Sequence, residues 1–148
     1  MFTHSKFTQT DLIKADTVLV AGQYNKIGEY KVLAGEVISP GYGIYDSMEN
    51  AVGRIYGILK VAADTEIVGT YQLAVHSPQD IQLAPLGTWR TEDWNTVVAD
   101  KTKQIPFARM PLQITKDKKL VLFFMPDASA TIDHTKSKLS MDITRQLI

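Results

Sequence analysis

The residues best placed to reveal chemistry are the three histidines, His4, His76 and His134. They are widely separated and follow no metal-ligand spacing. A cupin-type centre needs a His-x-His pair with a following Glu, and the chain has none. His4 falls in a polar stretch, His134 in a polar connection and His76 at the end of a predicted strand, so each is expected to be a solvated or hydrogen-bonded structural residue. Glu92 and Asp93, followed by Trp94, have the composition of a glycosidase acid beside an aromatic platform. Adjacent side chains rarely face each other across a substrate, and helix N-terminal chemistry after Thr91 explains the pair. Asp46 and Glu49, around Ser47, read as loop or cap residues.

Nucleophile and phosphate motifs are missing. No Gly-x-Ser-x-Gly elbow occurs, and Ser39 and Ser47 have no nearby His. Gly41-Tyr42-Gly43 is too short for a phosphate loop and opens no helix. The chain has no cysteine, which removes disulfides, thiolate metal sites and thiol nucleophiles together. The expectation is a non-enzymatic protein without a metal or cofactor.

Lys116, Lys118 and Lys119 flank Asp117 and read as a solvated hairpin turn, and Lys101 and Lys103 as loop residues. Neither group interleaves aromatic side chains as a stacking platform would. Sixteen basic residues balance sixteen acidic ones, so the basic excess behind non-specific nucleic-acid binding is absent. The same balance leaves copies of the chain with little mutual repulsion. Tyr24, Tyr30, Tyr42, Tyr45, Trp89 and Trp94 fall near predicted turns and edges, where aromatic residues serve either packing or intermolecular contact. Phe2, Phe7, Trp89 and Trp94 are the candidate subunit-interface residues.

The elements that would carry these residues are strands. In Glu66 to His76, Ile67, Gly69, Tyr71, Leu73 and Val75 fall on one face, with mostly polar residues on the other. Lys138 to Thr144 repeats the alternation with Leu139, Met141 and Ile143 inward. Thr17 to Ala21 and Lys119 to Met125 are apolar on both faces and read as central strands covered on both sides. Weaker strands are expected at Tyr30 to Ile38, Gly53 to Val61, Ile81 to Arg90 and Met110 to Thr115. Turn chemistry separates them at Gly22 to Asn25, Ser39 to Gly43, Ala62 to Asp64, Ser77 to Asp80, Lys116 to Lys118 and Pro126-Asp127. Short helices are expected at Thr91 to Ala99 and Ser47 to Ala51. About eight antiparallel strands with at most one or two short helices give an all-β sandwich, best a jelly roll, with an immunoglobulin-like sandwich as the alternative. Residues 1–16 read as an N-terminal arm or tail, either packed on its own domain or reaching a neighbour through Phe2 or Phe7, and residues 17–148 as the single β domain. The longest apolar run, Leu120 to Met125, is strand-sized, so no transmembrane segment or secretory signal is expected.

Six stretches carry a family resemblance: Tyr30–Gly43 (YKVLAGEVISPGYG), Val52–Leu59 (VGRIYGIL), Gly69–Gln79 (GTYQLAVHSPQ), Trp89–Trp94 (WRTEDW), Asp100–Pro106 (DKTKQIP) and Lys119–Asp127 (KLVLFFMPD). Their order of strand, Gly/Pro turn, strand, polar segment and final hydrophobic strand resembles the single-jelly-roll coat proteins of icosahedral archaeal and bacterial viruses. The resemblance implies a virion component, assembled in the host cytoplasm by contacts with copies of itself and other virion proteins, with no enzymatic activity. Two other readings compete. Trp89 and Trp94 at turns suit a carbohydrate- or ligand-binding module. Glu92, Asp93 and His76 would suit a small hydrolase or isomerase only if they converge in one pocket.

Overall fold

The computed structural model describes residues 4–32, 36–38, 53–93, 95–97, 102–106 and 117–147. Within them lie twelve strands, all paired antiparallel: β1 (His4–Asp11), β2 (Thr17–Leu19), β3 (Asn25–Lys31), β4 (Glu36–Ile38), β5 (Gly53–Ile58), β6 (Gly69–His76), β7 (Gln82–Arg90), β8 (Asn95–Val97), β9 (Thr102–Pro106), β10 (Lys119–Pro126), β11 (Ala130–Ile132) and β12 (Lys138–Leu147). Eight have at least five residues, the number expected from the sequence; β2, β4, β8 and β11 have three each. One sheet runs β1-β12-β5-β9-β8, with β4 also on β12; a second runs β3-β10-β6-β7; β2 and β11 form a separate ribbon.

Among the eight longer strands taken in chain order, the first pairs with the eighth, the second with the seventh, the third with the sixth and the fourth with the fifth. This nesting is a long hairpin folded over on itself into two facing sheets, the jelly roll. Period-two alternation fills its interior. Tyr71, Leu73 and Val75 of β6 stand opposite Phe124, Leu122 and Leu120 of β10, and all six belong to one buried cluster with Ile55 of β5 and Leu139 and Met141 of β12. The Tyr71 and Phe124 rings meet at a tilt, with centroids 4.6 Å apart. At Gly57, opposite Leu139, β5 approaches β12 so closely that a Cβ would lie 1.9 Å from the Lys138 carbonyl oxygen.

Several local expectations give way. Residues 4–11 show no strand pattern in the sequence, yet they form β1, paired with β12 along its whole length. An edge strand can be polar on both faces, and pairing supplies what alternation does not. Tyr30 to Ile38 is not one strand: β3 begins at Asn25, and β4 pairs separately with the far end of β12. The expected helix at Thr91 to Ala99 is one 3-10 turn (Thr91–Asp93) followed by β8; Thr96 and Val97 follow their β propensity. Thr102 to Pro106, expected as loop, is β9. β2 is covered on one face only: Leu19 is fully buried, whereas Val18 is 71% exposed, because its ribbon lies outside both sheets. The expected strand at Met110 to Thr115 and helix at Ser47 to Ala51 lie outside the described residues.

Candidate functional site

The outer face of the four-stranded sheet carries the densest set of interacting ionisable groups among the described residues. Alternation turns Lys119 of β10 away from the core, beside its cross-strand partners Lys31 of β3 and His76 of β6. Its ammonium lies 2.7 Å from Asp80 and 3.0 Å from Glu29. Lys26 is 2.7 Å from the same Glu29 oxygen and 3.8 Å from Asp80. The expectation of a solvated hairpin lysine is therefore wrong for Lys119, whose side chain is only 7% exposed. His76, expected to be solvated or hydrogen-bonded, is buried with neither ring nitrogen hydrogen-bonded; Nδ1 is 3.8 Å from Asp80, and the ring stands over Phe123.

The electrostatic signs are consistent across this network. Hydrogen bonding to Lys26, with a further contribution from Lys119, holds the Glu29 carboxyl below its usual range of about 4.5. Hydrogen bonding to Lys119 does the same for Asp80, whose usual value is 3.8, and the ammonium of Lys119 is pushed up in turn. The arrangement neutralises charge and clamps the Ser77 to Asp80 turn onto β10 and β3. A carboxylate depressed in the folded state stabilises fully above its unfolded value and loses that contribution as pH falls through its folded value. The thermal midpoint is therefore expected to stay level from about pH 7 to pH 5 and to fall below about pH 4.5. Lys119→Met is expected to remove chiefly the share of that acid limb contributed by Asp80, leaving Glu29, still held low by Lys26, and the parts contributed by Asp16, Asp64, Asp127 and Asp133, each also held low by its own partners. Thermal melts followed by circular dichroism across this pH range check it.

The remaining polar sets are structural ties. Arg90 makes a bidentate pair with Asp127 at 2.8 and 2.9 Å and reaches Glu92 and Thr70. Thr91 does not cap a helix; its hydroxyl accepts the Gly69 N–H at 3.4 Å. Asp16, Asp133 and His134 offer donor atoms within 4.8 Å of one another, a geometry that could hold a cation. Hydrogen bonds account for their proximity: Asp16 accepts the His134 backbone N–H at 3.0 Å and contacts its Nδ1, while Asp133 accepts from Thr135.

The set proposed for catalysis is not brought together. His76 pairs with Gln82 at one end of the β6–β7 hairpin, whereas Thr70 pairs with Arg90 at the other, just before Glu92 and Asp93. The two ends are six residue steps apart along β6, roughly 20 Å. Of the interface candidates, Trp89 is half-buried, packs against the core and lies across Gly87, where a Cβ would sit 2.3 Å from the indole. That is a packing residue rather than a free-standing platform for a sugar. Phe7 lies in β1 with only its backbone described, and Phe2 and Trp94 lie outside the described residues. No pattern in the sequence singles out Ile81 and Leu83, which are 64% and 50% exposed, one just before β7 and one within it.

No known sequence family matches the chain, and no curated protein sequence does. Similarity appears at the level of structure. VP17, a capsid protein of bacteriophage P23-77, aligns over 100% of this chain and 99% of its own, with a TM-score of 0.52 and 9% sequence identity. The chain has the fold of a phage capsid protein. The alignment with VP17 runs end to end, so the likeness covers both sheets and not a shared hairpin. At 9% identity no individual residue of VP17 has a counterpart to transfer, and the likeness is one of backbone architecture. No helix among the described residues is long and apolar enough to cross a membrane.

Proposed function

We propose that this chain is a non-enzymatic structural protein of a virus particle, which assembles by contacts with copies of itself and with other virion proteins after synthesis in the host cytoplasm. The observation that carries the reading is the end-to-end structural alignment with VP17. The rest of the molecule is compatible with it: Glu92 and Asp93 lie beyond the opposite end of the β6–β7 hairpin from His76, and the chain carries no net charge to hold copies apart.

Sedimentation velocity and electron microscopy of the purified chain, from about 1 μM to 1 mM, test it. Discrete oligomers, rings or shells are expected to grow with concentration. A monomer across the whole range, or a tryptophan fluorescence change on adding simple sugars, would count against assembly and favour a ligand-binding module.

A further inference from the structure

The second sheet ends in two edges of opposite character. β3, at one edge, carries Lys26, Glu29 and Lys31, the charged side chains that discourage addition of another strand. β7, at the other, pairs among the described residues only with β6. Ile81, just before β7, and residues 82–89 within it carry no ionisable side chain; Arg90 ends the strand. Ile81 and Leu83 are 64% and 50% exposed there, and Pro85 is exposed beside them.

We propose that the β7 edge, from Ile81 to Leu86, is the surface on which a second copy of this chain docks, an inference that rests on the assembly reading above. A neutral apolar strip is complementary to itself, and the neighbouring Asp80 is already paired with Lys119 and Lys26, so two copies related by a two-fold axis meet without an unpaired like charge. The whole chain is neutral as well, with sixteen charges of each sign, which removes the longer-range repulsion. A partner of different sequence and strong charge would find nothing on this strip to pair with. The register between β6 and β7 shifts twice, at Leu73/Ala74 and at Val75/His76, and Pro85 lacks an N–H to donate. The contact is therefore made by side chains over a short length and not by an unbroken backbone ladder, which favours a closed pair over open-ended strand addition.

The test combines hydrogen exchange on the unmodified protein with sedimentation of Ile81→Lys, Leu83→Lys and, as a control on the separate β2 ribbon, Val18→Lys. Amides of residues 81–86 are expected to gain protection as concentration rises. Each β7 variant is expected to weaken self-association by about 10- to 100-fold, the scale of one buried aliphatic side chain, with Val18→Lys unchanged. Self-association that persists undiminished in both β7 variants, without concentration-dependent protection at 81–86, overturns this assignment and leaves the assembly reading standing. Wild-type protein that remains monomeric throughout overturns both. Protection of 81–86 that arises only on adding a different virion protein overturns the choice of occupant.

Discussion

Gly57→Ala is expected to cost about 3–5 kcal/mol, a large part of the roughly 5–15 kcal/mol that stabilises a domain of this kind. Two effects combine. Gly57 sits at φ +137°, a conformation that side-chain-bearing residues rarely adopt. A Cβ there would also lie 1.9 Å from the Lys138 carbonyl oxygen and 2.8 Å from the Leu139 Cα. Those are backbone atoms of β12, the strand that holds β1, β4 and β5 together, so no side-chain rotation can relieve the contact. Urea unfolding followed by tryptophan fluorescence measures the loss; a midpoint within error of the wild type would mean that β5 and β12 are not this close.

Phe124→Ala is expected to cost a similar amount, about 3–5 kcal/mol, through a different mechanism. The ring is fully buried near the end of β10, against Tyr71 at 4.6 Å and across Gly69, where a Cβ would meet it at 2.7 Å. Removing it leaves a cavity that the two sheets cannot close without moving together. Phe124→Leu keeps part of the volume and is expected to lose distinctly less. The same urea titration reads both; equal midpoints for Phe124→Ala and Phe124→Leu would show that the site collapses freely and that the ring is not a spacer between the sheets.

What the sequence discloses here depends on how local the cause is. β6 and β12 were legible because period-two alternation is a local consequence of one wet and one dry face, and β10 because a strand between two neighbours is apolar throughout. β1 was not, since HSKFTQTD is polar at most positions and becomes strand only against β12. β8 was obscured by the acidic pair before it, whose helix-start chemistry competes with the β-branched Thr96 and Val97. Lys119 is the clearest failure. Beside Asp117 and Lys118 it reads as turn, and only the arrival of Glu29 and Asp80, from distant parts of the chain, makes a nearly buried ammonium stable there. For the same reason the proposed contact strip could not be seen: the exposure of Leu83 depends on which strand ends the sheet and that of Ile81 on how the preceding turn is held, properties of the topology and not of the residues. The number of strands and turns is enough to indicate a jelly roll, while the order of strand pairing is set by contacts between distant parts of the chain.

That order has a kinetic consequence. Because β12 is the strand against which β1, β4 and β5 all lie, the larger sheet cannot zip up until almost the last described residues have left the ribosome. The β6–β7 hairpin, by contrast, needs only its own turn and can form early. A nascent chain therefore keeps the apolar face of the larger sheet uncovered until β12 arrives. Slow closure of this kind is the regime in which chaperone assistance matters most, and in which a neighbouring copy can either complete the fold or trap it.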